Sequence, residues 1–231
     1  MAKHKLRQFA EIESFENVLH QIQRSDKLDE FETKGKWNEH HFKNNQSICL
    51  ELGCGKGEYT VGLAKNHPYK NFIGVDLKGN RIWRGAKTAL ENKMKNVAFL
   101  RTRIENIESC FAPNEVDEIW ITFPDPQPQK SRIKKRLTSP PFLDRYKKIL
   151  SSTGVIHLKT DNAPLYEYTL EVIKELDLKL LLHTADLYSM LHSTAPENLK
   201  NYPPETFSIQ TFYEKKFSDM GFKICYIKFQ L

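Results

Sequence analysis

Short apolar runs alternate with amphipathic stretches along most of the chain, beginning near residue 47. The first run, SICLELG (47–53), ends in glycine, as a buried strand of a parallel sheet does. The next stretch, GEYTVGLAKNHP, has helical spacing and is closed by Pro68. The same alternation predicts further strands at 71–76, 96–102, 116–123, 153–161, 178–184 and 222–230, and helices at 78–93, 139–150, 163–177 and 211–221.

This order of strands and helices predicts an α/β protein with a doubly wound, mostly parallel sheet. Right-handed crossovers place the carboxyl ends of such strands along one edge, where ligands bind. We expect the sheet to lie in a domain that spans residues 46–231. Residues 1–45 are polar and carry a helix-like patch at 11–23, so we expect a partly mobile N-terminal extension.

A glycine-rich loop follows the first predicted strand. Gly53, Gly55 and Gly57 form a G-x-G-x-G turn, in which the backbone can approach a ligand without a Cβ clash. A dinucleotide site would carry its third glycine at position 58, where this chain has Glu58. Because a carboxylate at that helix start would repel a pyrophosphate, the loop disfavours a nicotinamide-dependent dehydrogenase.

Two acids flank this loop. Glu51 lies two residues before Gly53, and Asp76 ends the second predicted strand. S-adenosylmethionine presents a cationic amino-acid end, which Glu51 can meet directly or through water. It also presents a ribose diol, and the two oxygens of Asp76 can accept both hydroxyls. The loop and its acids therefore favour an S-adenosylmethionine site over a tight turn without a ligand.

A rigid acidic loop and a basic run follow the fourth predicted strand, in the sequence FPDPQPQKSRIKKRL. Asp125 stands between two prolines, which fix the backbone on either side of it. The net charge of the chain is +6, and residues 130–148 hold eight Lys or Arg and one acid. Concentrated positive charge favours a polyanionic partner, while the ordinary alternative is a solvated face.

Composition excludes several other classes of protein. No apolar run approaches the ~18 residues of a membrane span, and the first residues lack the apolar stretch of a signal peptide. The four cysteines form no C-x-x-C pair, which indicates reduced thiols and a cytoplasmic protein. No spacing is typical of a zinc site, so we expect no metal. A monomer and a homodimer are both compatible with the sequence.

Five segments resemble the bacterial tRNA (guanine-N7-)-methyltransferases: ELGCGKGEY, FIGVDLKGNRIWRGA, FPDPQPQKSRIKKRL, HLKTDN and TFYEKKF. The resemblance covers residues 47–220 in the order of the family. Most class I methyltransferases share the glycine loop. The proline-flanked acid, KTDN and the terminal motif occur in far fewer families. The resemblance implies a Rossmann-like class I methyltransferase fold. It also implies methyl transfer from S-adenosylmethionine to N7 of a guanine in the variable loop of tRNA.

The resemblance implies a set of cofactor-binding residues. Glu51, Asp76 and the loop glycines fall on the family's cofactor motifs. Arg103 falls where the family usually has an acid near the adenine, and Glu105 or Asn106 is an alternative for that contact.

The resemblance also implies the catalytic and substrate-binding residues. Asp125 falls at the acid held between cofactor and base, and Asp161 falls in the family's substrate motif KTD. Gln127 and Gln129 stand where the family usually has Trp and Lys, and Lys130 offers a cation one position later. The terminal substrate motif matches Thr211, Phe212, Tyr213 and Glu214.

These residue types suit methylation of a ring nitrogen. Guanine N7 has a free lone pair, so the reaction needs positioning of the two substrates and no deprotonation. A carboxylate can stabilise the cationic product or accept the N1–H and 2-amino donors of guanine, and Asp125 and Asp161 are the candidates. The alternatives are a class I methyltransferase acting on another RNA or a small molecule, and a non-catalytic RNA-binding module on that fold.

Overall fold

Strands and helices alternate along the part of the chain that the computed structural model describes, residues 2–22, 29–193 and 199–231. The strands are β1 Val18–Gln21, β2 Ile48–Leu52, β3 Asn71–Asp76, β4 Val97–Thr102, β5 Val116–Thr122, β6 Leu150–Thr160, β7 Lys179–Thr184 and β8 Cys225–Gln230. The α-helices are α1 Ala2–Ile12, α2 Glu58–Asn66, α3 Gly79–Glu91, α4 Ile107–Cys110, α5 Pro140–Ile149, α6 Ala163–Glu175, α7 Met190–Ser193, α8 Glu205–Ser208 and α9 Phe212–Asp219.

The strands form one sheet in the order β1-β4-β3-β2-β5-β6-β8-β7. Neighbours from β1 to β6 are parallel, and β8 runs antiparallel to both β6 and β7. The strand order reverses between β2 and β5, so the loops that leave their carboxyl ends diverge around a crevice. The predicted doubly wound, mostly parallel sheet is confirmed.

The central strands are buried on both faces. Leu50, Ile73 and Ile119 belong to a hydrophobic cluster on one face of the sheet. Their neighbours Cys49 and Phe72 point to the other face and belong to a second cluster. Helices cover both faces, which explains why these strands read as continuous apolar runs instead of alternating ones. Burial of each large side chain stabilises the fold by about 1.5–3 kcal/mol.

The N-terminal residues add a strand to the sheet. The helix-like patch predicted at 11–23 is wrong, because α1 ends at residue 12 and β1 begins at residue 18. Val18 pairs with Phe99 of β4, so sheet pairing overrides the local helical spacing. Helix α1 packs on α3, where Lys87 Nζ donates to Glu11 Oε1 at 2.8 Å.

A π-helix at Trp37–Phe42 covers one face of the sheet ahead of β2. The indole N–H of Trp37 donates to the carbonyl of Cys110 at 2.9 Å. Its ring stacks on Phe111 with centroids 5.2 Å apart. These contacts fix the segment that leads into β2 and therefore the direction in which β2 enters the sheet.

Three global features bear on function. None of the helices in the described ranges has the length and apolar character needed to cross a membrane. Within the same ranges, no three His, Cys, Asp or Glu side chains cluster in a way that could hold a metal ion. The four cysteines are buried and free.

Candidate active site

The glycine turn between β2 and α2 lies at the carboxyl edge of the sheet. The N–H groups of Gly53 and Cys54 both donate to the carbonyl of Val75, at 2.8 and 3.0 Å. Gly53, Gly55 and Gly57 have φ values of 78, 55 and 69°, a region that favours glycine. No atom lies within 4 Å of where a Cβ on Gly55 would sit, so the turn is open to a ligand there.

Gly57 has a different role in the turn. A Cβ at this position would lie 2.6 Å from the ring of Phe99. The glycine therefore lets α2 start directly against β4. The first and last glycines of the motif shape the backbone, while the middle one leaves space.

Glu51 is buried within β2 and faces the start of α2. Its Oε2 accepts the N–H of Thr60 at 2.8 Å and also the Thr60 hydroxyl. Its Oε1 accepts the hydroxyl of Thr122 at 2.6 Å. Burial raises the pKa of Glu51 to about 7, with a further contribution from the charge of Asp76, although the threonine hydrogen bonds oppose the shift. A nearby cation would favour the ionised form of this carboxyl.

Asp76 closes the other side of the turn. One carboxylate oxygen accepts the N–H of Gly55 at 3.0 Å, and the other accepts the N–H of Lys78 at 2.8 Å. Each oxygen retains a further lone pair for a ligand hydroxyl. The site thus has one buried and one half-buried acid on either side of an open turn. This donor set fits the cation and the ribose diol of S-adenosylmethionine.

Arg103 follows β4 and is exposed at the same edge. β4 lies beside β3, with Asp76 opposite Arg101 in the register. Among the described residues, no carboxylate forms an ion pair with Arg103 within 4 Å. Glu105 and Asn106 lie in a 3-10 helix, Ile104–Asn106, one turn further on. The assignment of Arg103 to the cofactor stays a prediction.

Asp125 lies in the loop that leaves β5, beside the glycine turn, because β5 is the neighbour of β2. Its side chain is exposed, and its Oδ1 accepts the N–H of Gln127 at 3.1 Å. Phe123 and Gln127 have φ values of 48 and 45°, which turn the chain sharply before and after the acid. The carboxylate therefore stabilises its own loop and keeps its second oxygen available at the edge of the sheet.

Arg136 fixes this loop from within. Its Nε donates to the carbonyl of Pro126 at 3.2 Å, and its Nη2 donates to the carbonyl of Gln127 at 3.4 Å. Its guanidinium lies over the ring of Tyr168, 4.3 Å from the centroid. The guanidinium of Arg136 is thus engaged by the protein itself, unlike the four exposed cations of the same run.

The other cations of the run form a basic helix, a 3-10 helix at Lys130–Lys135. Gln129 precedes it with an extended backbone. The side chains of Lys130, Arg132, Lys134 and Lys135 are exposed. In the described part of the chain, no acid pairs with any of them within 4 Å. The basic helix thus presents unpaired positive charge beside Asp125.

Asp161 follows β6 at the next position along the edge. Its side chain is half-buried, and burial raises the pKa of its carboxyl. The following residue, Asn162, caps α6 by accepting the N–H of Leu165 at 2.9 Å. Helix α6 therefore begins immediately behind Asp161 and holds it at the edge of the sheet.

The predicted terminal substrate motif forms the start of α9. Thr211 Oγ1 accepts the N–H of Glu214 at 3.1 Å, and Glu214 is fully buried. Phe212 and Tyr213 are 55% and 45% exposed, so the motif offers its two aromatic rings and not its carboxylate to solvent. The N–H of Phe212 donates to Glu58 Oε2 at 3.0 Å, which joins α9 to the helix that follows the glycine turn.

Sequence reasoning missed several residues of this site. Thr60 and Thr122 bind both oxygens of Glu51, and Lys159 forms an ion pair with Glu214 at 2.7 Å. A lysine inside the apolar strand VIHLKTD is the one signal that could have revealed its buried partner. Threonine is common in strands, so the two threonines carry no comparable signal.

Comparisons with known proteins show which proteins this chain is similar to. A family model described as "Putative methyltransferase" matches residues 45–227. A tRNA (guanine-N(7)-)-methyltransferase of Christiangramia forsetii is 52% identical and covers 100% of this chain and 99% of that relative. Its counterpart in Bacteroides fragilis is 48% identical and covers 100% of this chain and 87% of that relative. Among solved structures, the 16S rRNA methyltransferase KamB superimposes with a TM-score of 0.60 at 15% identity, covering 88% of this chain and 95% of KamB.

Proposed function

This chain belongs to the tRNA (guanine-N(7)-)-methyltransferase family, and from that premise we propose that it methylates N7 of a guanine in the variable loop of tRNA. The observation that carries the proposal is the meeting of three features at one sheet edge. They are the acid-flanked glycine turn, the loop of Asp125 and the unpaired charge of the basic helix.

Glu51, Asp76 and the glycines of the turn hold the cofactor. S-adenosylmethionine supplies a methyl group on a sulfonium, which a neutral ring nitrogen can attack in line. Glu51 supplies negative charge from behind the turn, through the threonines that orient it. Asp76 accepts the ribose hydroxyls. Arg103 contacts the adenine end of the cofactor; the support is that it follows β4, the neighbour of β3.

Asp125 and Asp161 lie on either side of the expected base. Guanine N7 becomes cationic as the methyl group is transferred, so a fixed carboxylate beside it stabilises the transition state. Asp125 suits this role because its loop is held by its own hydrogen bond to Gln127 and by Arg136. Asp161 suits recognition of the N1–H and 2-amino donors, since burial leaves its carboxyl in need of hydrogen bonds.

The remaining substrate residues surround these acids. Gln129 and Lys130 begin the basic helix, whose cations bind tRNA phosphates and position the RNA without reading its sequence. Phe212 and Tyr213 present exposed rings to the RNA, while Thr211 and Glu214 fix the start of α9 that carries them.

The test uses the full chain, an unmodified tRNA transcript and methyl-labelled S-adenosylmethionine. We expect label on one guanine of the variable loop, mapped by chemical cleavage at N7-methylguanosine. The matched control is the same transcript with 7-deazaguanosine at that position, which lacks the N7 lone pair and keeps the other base edges. Label on another base, or label that persists on the control transcript, would refute the proposal.

We further propose that the reaction takes place in the cytoplasm. The support is chemical, since the four thiols are unpaired and buried, as in proteins of a reducing compartment. Fractionation of cells with an antibody against the chain checks this directly. Recovery with an exported fraction would contradict it.

A further inference from the structure

Lys159 is a fully buried cation that faces the segment before α9. It lies near the end of β6, with its side chain 0% exposed. Its Nζ donates to Glu214 Oε1 at 2.7 Å, to the carbonyl of Thr206 at 2.6 Å and to the carbonyl of Ile209 at 3.3 Å. An ammonium has three N–H donors, so this environment uses all of them.

Glu214 is buried to the same extent and depends on this cation. Its side chain is 0% exposed, and its Oε1 also accepts the hydroxyl of Tyr188 at 2.5 Å. Removing the cationic partner of a buried carboxylate destabilises the protein, because the ion pair compensates the free energy of desolvating that carboxylate. The geometry of the start of α9 is therefore tied to Lys159.

The ion pair joins the parts of the site that receive substrate. Lys159 lies in β6 and precedes Asp161, just after the strand, by two residues. Glu214 ends the segment that begins at Thr211. The N–H of Phe212 donates to Glu58 at the start of α2, beside the glycine turn. One buried cation thus fixes the terminal motif relative to both Asp161 and the glycine turn.

We propose that Lys159 is a positioning residue for tRNA, which acts through Glu214 and the carbonyls of Thr206 and Ile209 and does not touch substrate. This inference rests on the proposed function. A buried ion pair is weak evidence for stability, since apolar replacements of such pairs are often neutral. Lys159 instead holds the exposed rings of Phe212 and Tyr213 at a set distance from Asp161. A displacement of about 1 Å there can lower the rate of transfer by about 100-fold.

The experiment compares Lys159→Met with Lys159→Arg and with the control Lys223→Met. Lys223 also forms an ion pair with a carboxylate, Asp186, at 3.4 Å, but its side chain is 73% exposed. For each variant, cofactor affinity is measured without tRNA, and tRNA methylation is measured per cofactor-binding site well below the melting temperature. Counting only molecules that bind cofactor removes the contribution of unfolded protein.

We expect Lys159→Met to keep its cofactor affinity within about twofold and to lose about 100-fold in kcat/KM for tRNA. Lys159→Arg should recover part of this loss because it keeps the charge, and Lys223→Met should match the unaltered protein. Equal kcat/KM per cofactor-binding site for Lys159→Met would overturn the inference, since a purely structural role predicts that result.

A second variant decides the matter if Lys159→Met fails to bind cofactor. Glu214→Gln keeps the shape of the side chain and an acceptor for Lys159, and removes only the negative charge. We expect its kcat/KM for tRNA to fall about tenfold at unchanged cofactor affinity, and an unchanged kcat/KM would overturn the inference. Inactivity of the unaltered protein on tRNA would instead count against the proposed function itself.

Discussion

We expect Glu51 to make the affinity for the methyl donor depend on pH near neutrality. Its carboxyl is buried behind the glycine turn, and burial together with the charge of Asp76 raises its pKa to about 7. A bound sulfonium or ammonium favours the ionised form. Cofactor binding therefore releases a proton below pH 7, and the apparent affinity rises with pH until Glu51 is ionised.

The size of the effect follows from that pKa. If the cofactor binds only the ionised form, the apparent Kd is multiplied by one plus the ratio of protonated to ionised Glu51. The factor is about 1.1 at pH 8, about 2 at pH 7 and about 11 at pH 6, so affinity changes about tenfold between pH 8 and pH 6. This corresponds to about 1.4 kcal/mol of binding free energy.

The stability of the cofactor-free protein should change in the opposite direction. The pKa of Glu51 lies above its ordinary value of 4.5, so the folded state holds more protons than the unfolded state between pH 4.5 and pH 7. The contribution of this one group to stability is thus greatest below that window and falls, by up to about 3 kcal/mol, as pH rises through it.

Calorimetric titration of the full chain with S-adenosylmethionine from pH 6 to pH 8 measures the prediction, with Glu51→Gln as the matched control. We expect the apparent Kd of the unaltered protein to change about tenfold between pH 6 and pH 8. The amide variant should bind more weakly, with a Kd that hardly depends on pH. A flat profile for the unaltered protein, or the same slope in Glu51→Gln, would refute the reasoning, because another group would then control the binding.

Three further predictions concern the edge of the sheet. Asp125→Ala should lose at least about 100-fold in methyl transfer and keep cofactor affinity if, as proposed, its exposed carboxylate acts on the base; unchanged turnover would remove it from that role. Lys134→Ala with Lys135→Ala should weaken tRNA binding and lower the salt slope of log Kd by about one to two, whereas Arg136→Ala should mainly lower the melting temperature; an unaltered slope in the first variant would place the phosphate contacts elsewhere. Gly57→Ala should destabilise the fold by about 1–3 kcal/mol, because φ is 69° and the new Cβ meets a ring, as thermal unfolding can show; a stability equal to that of the unaltered protein would contradict the packing described.

The sequence predicted the sheet and the glycine turn because both depend on local patterns. Apolar runs that end in glycine or an acid are visible in one dimension, and Asp76 and Asp125 follow directly from them. The short strand β1 escaped prediction because its partner, β4, lies far along the chain. A strand of four residues also carries too little alternation to outweigh helical spacing.

The same limit applies to charged residues. A run of five cations reads alike whether each meets solvent, RNA or protein, so the internal hydrogen bonds of Arg136 could not be distinguished from the free charge of Lys134. Likewise, Glu214 reads as a candidate ligand group until the fold places it against Lys159. These assignments depend on tertiary contacts, which cannot be inferred from the local patterns of a single sequence.

The edge strand β1 also has a consequence for biosynthesis. Its partner strand emerges from the ribosome only roughly eighty residues later, which makes their pairing one of the most non-local contacts of the sheet. Until then, the nascent chain carries an unpaired strand, and β4 in turn remains open to other chains until β1 docks. The time needed to synthesise the residues between β1 and β4 therefore sets how long this edge stays unprotected.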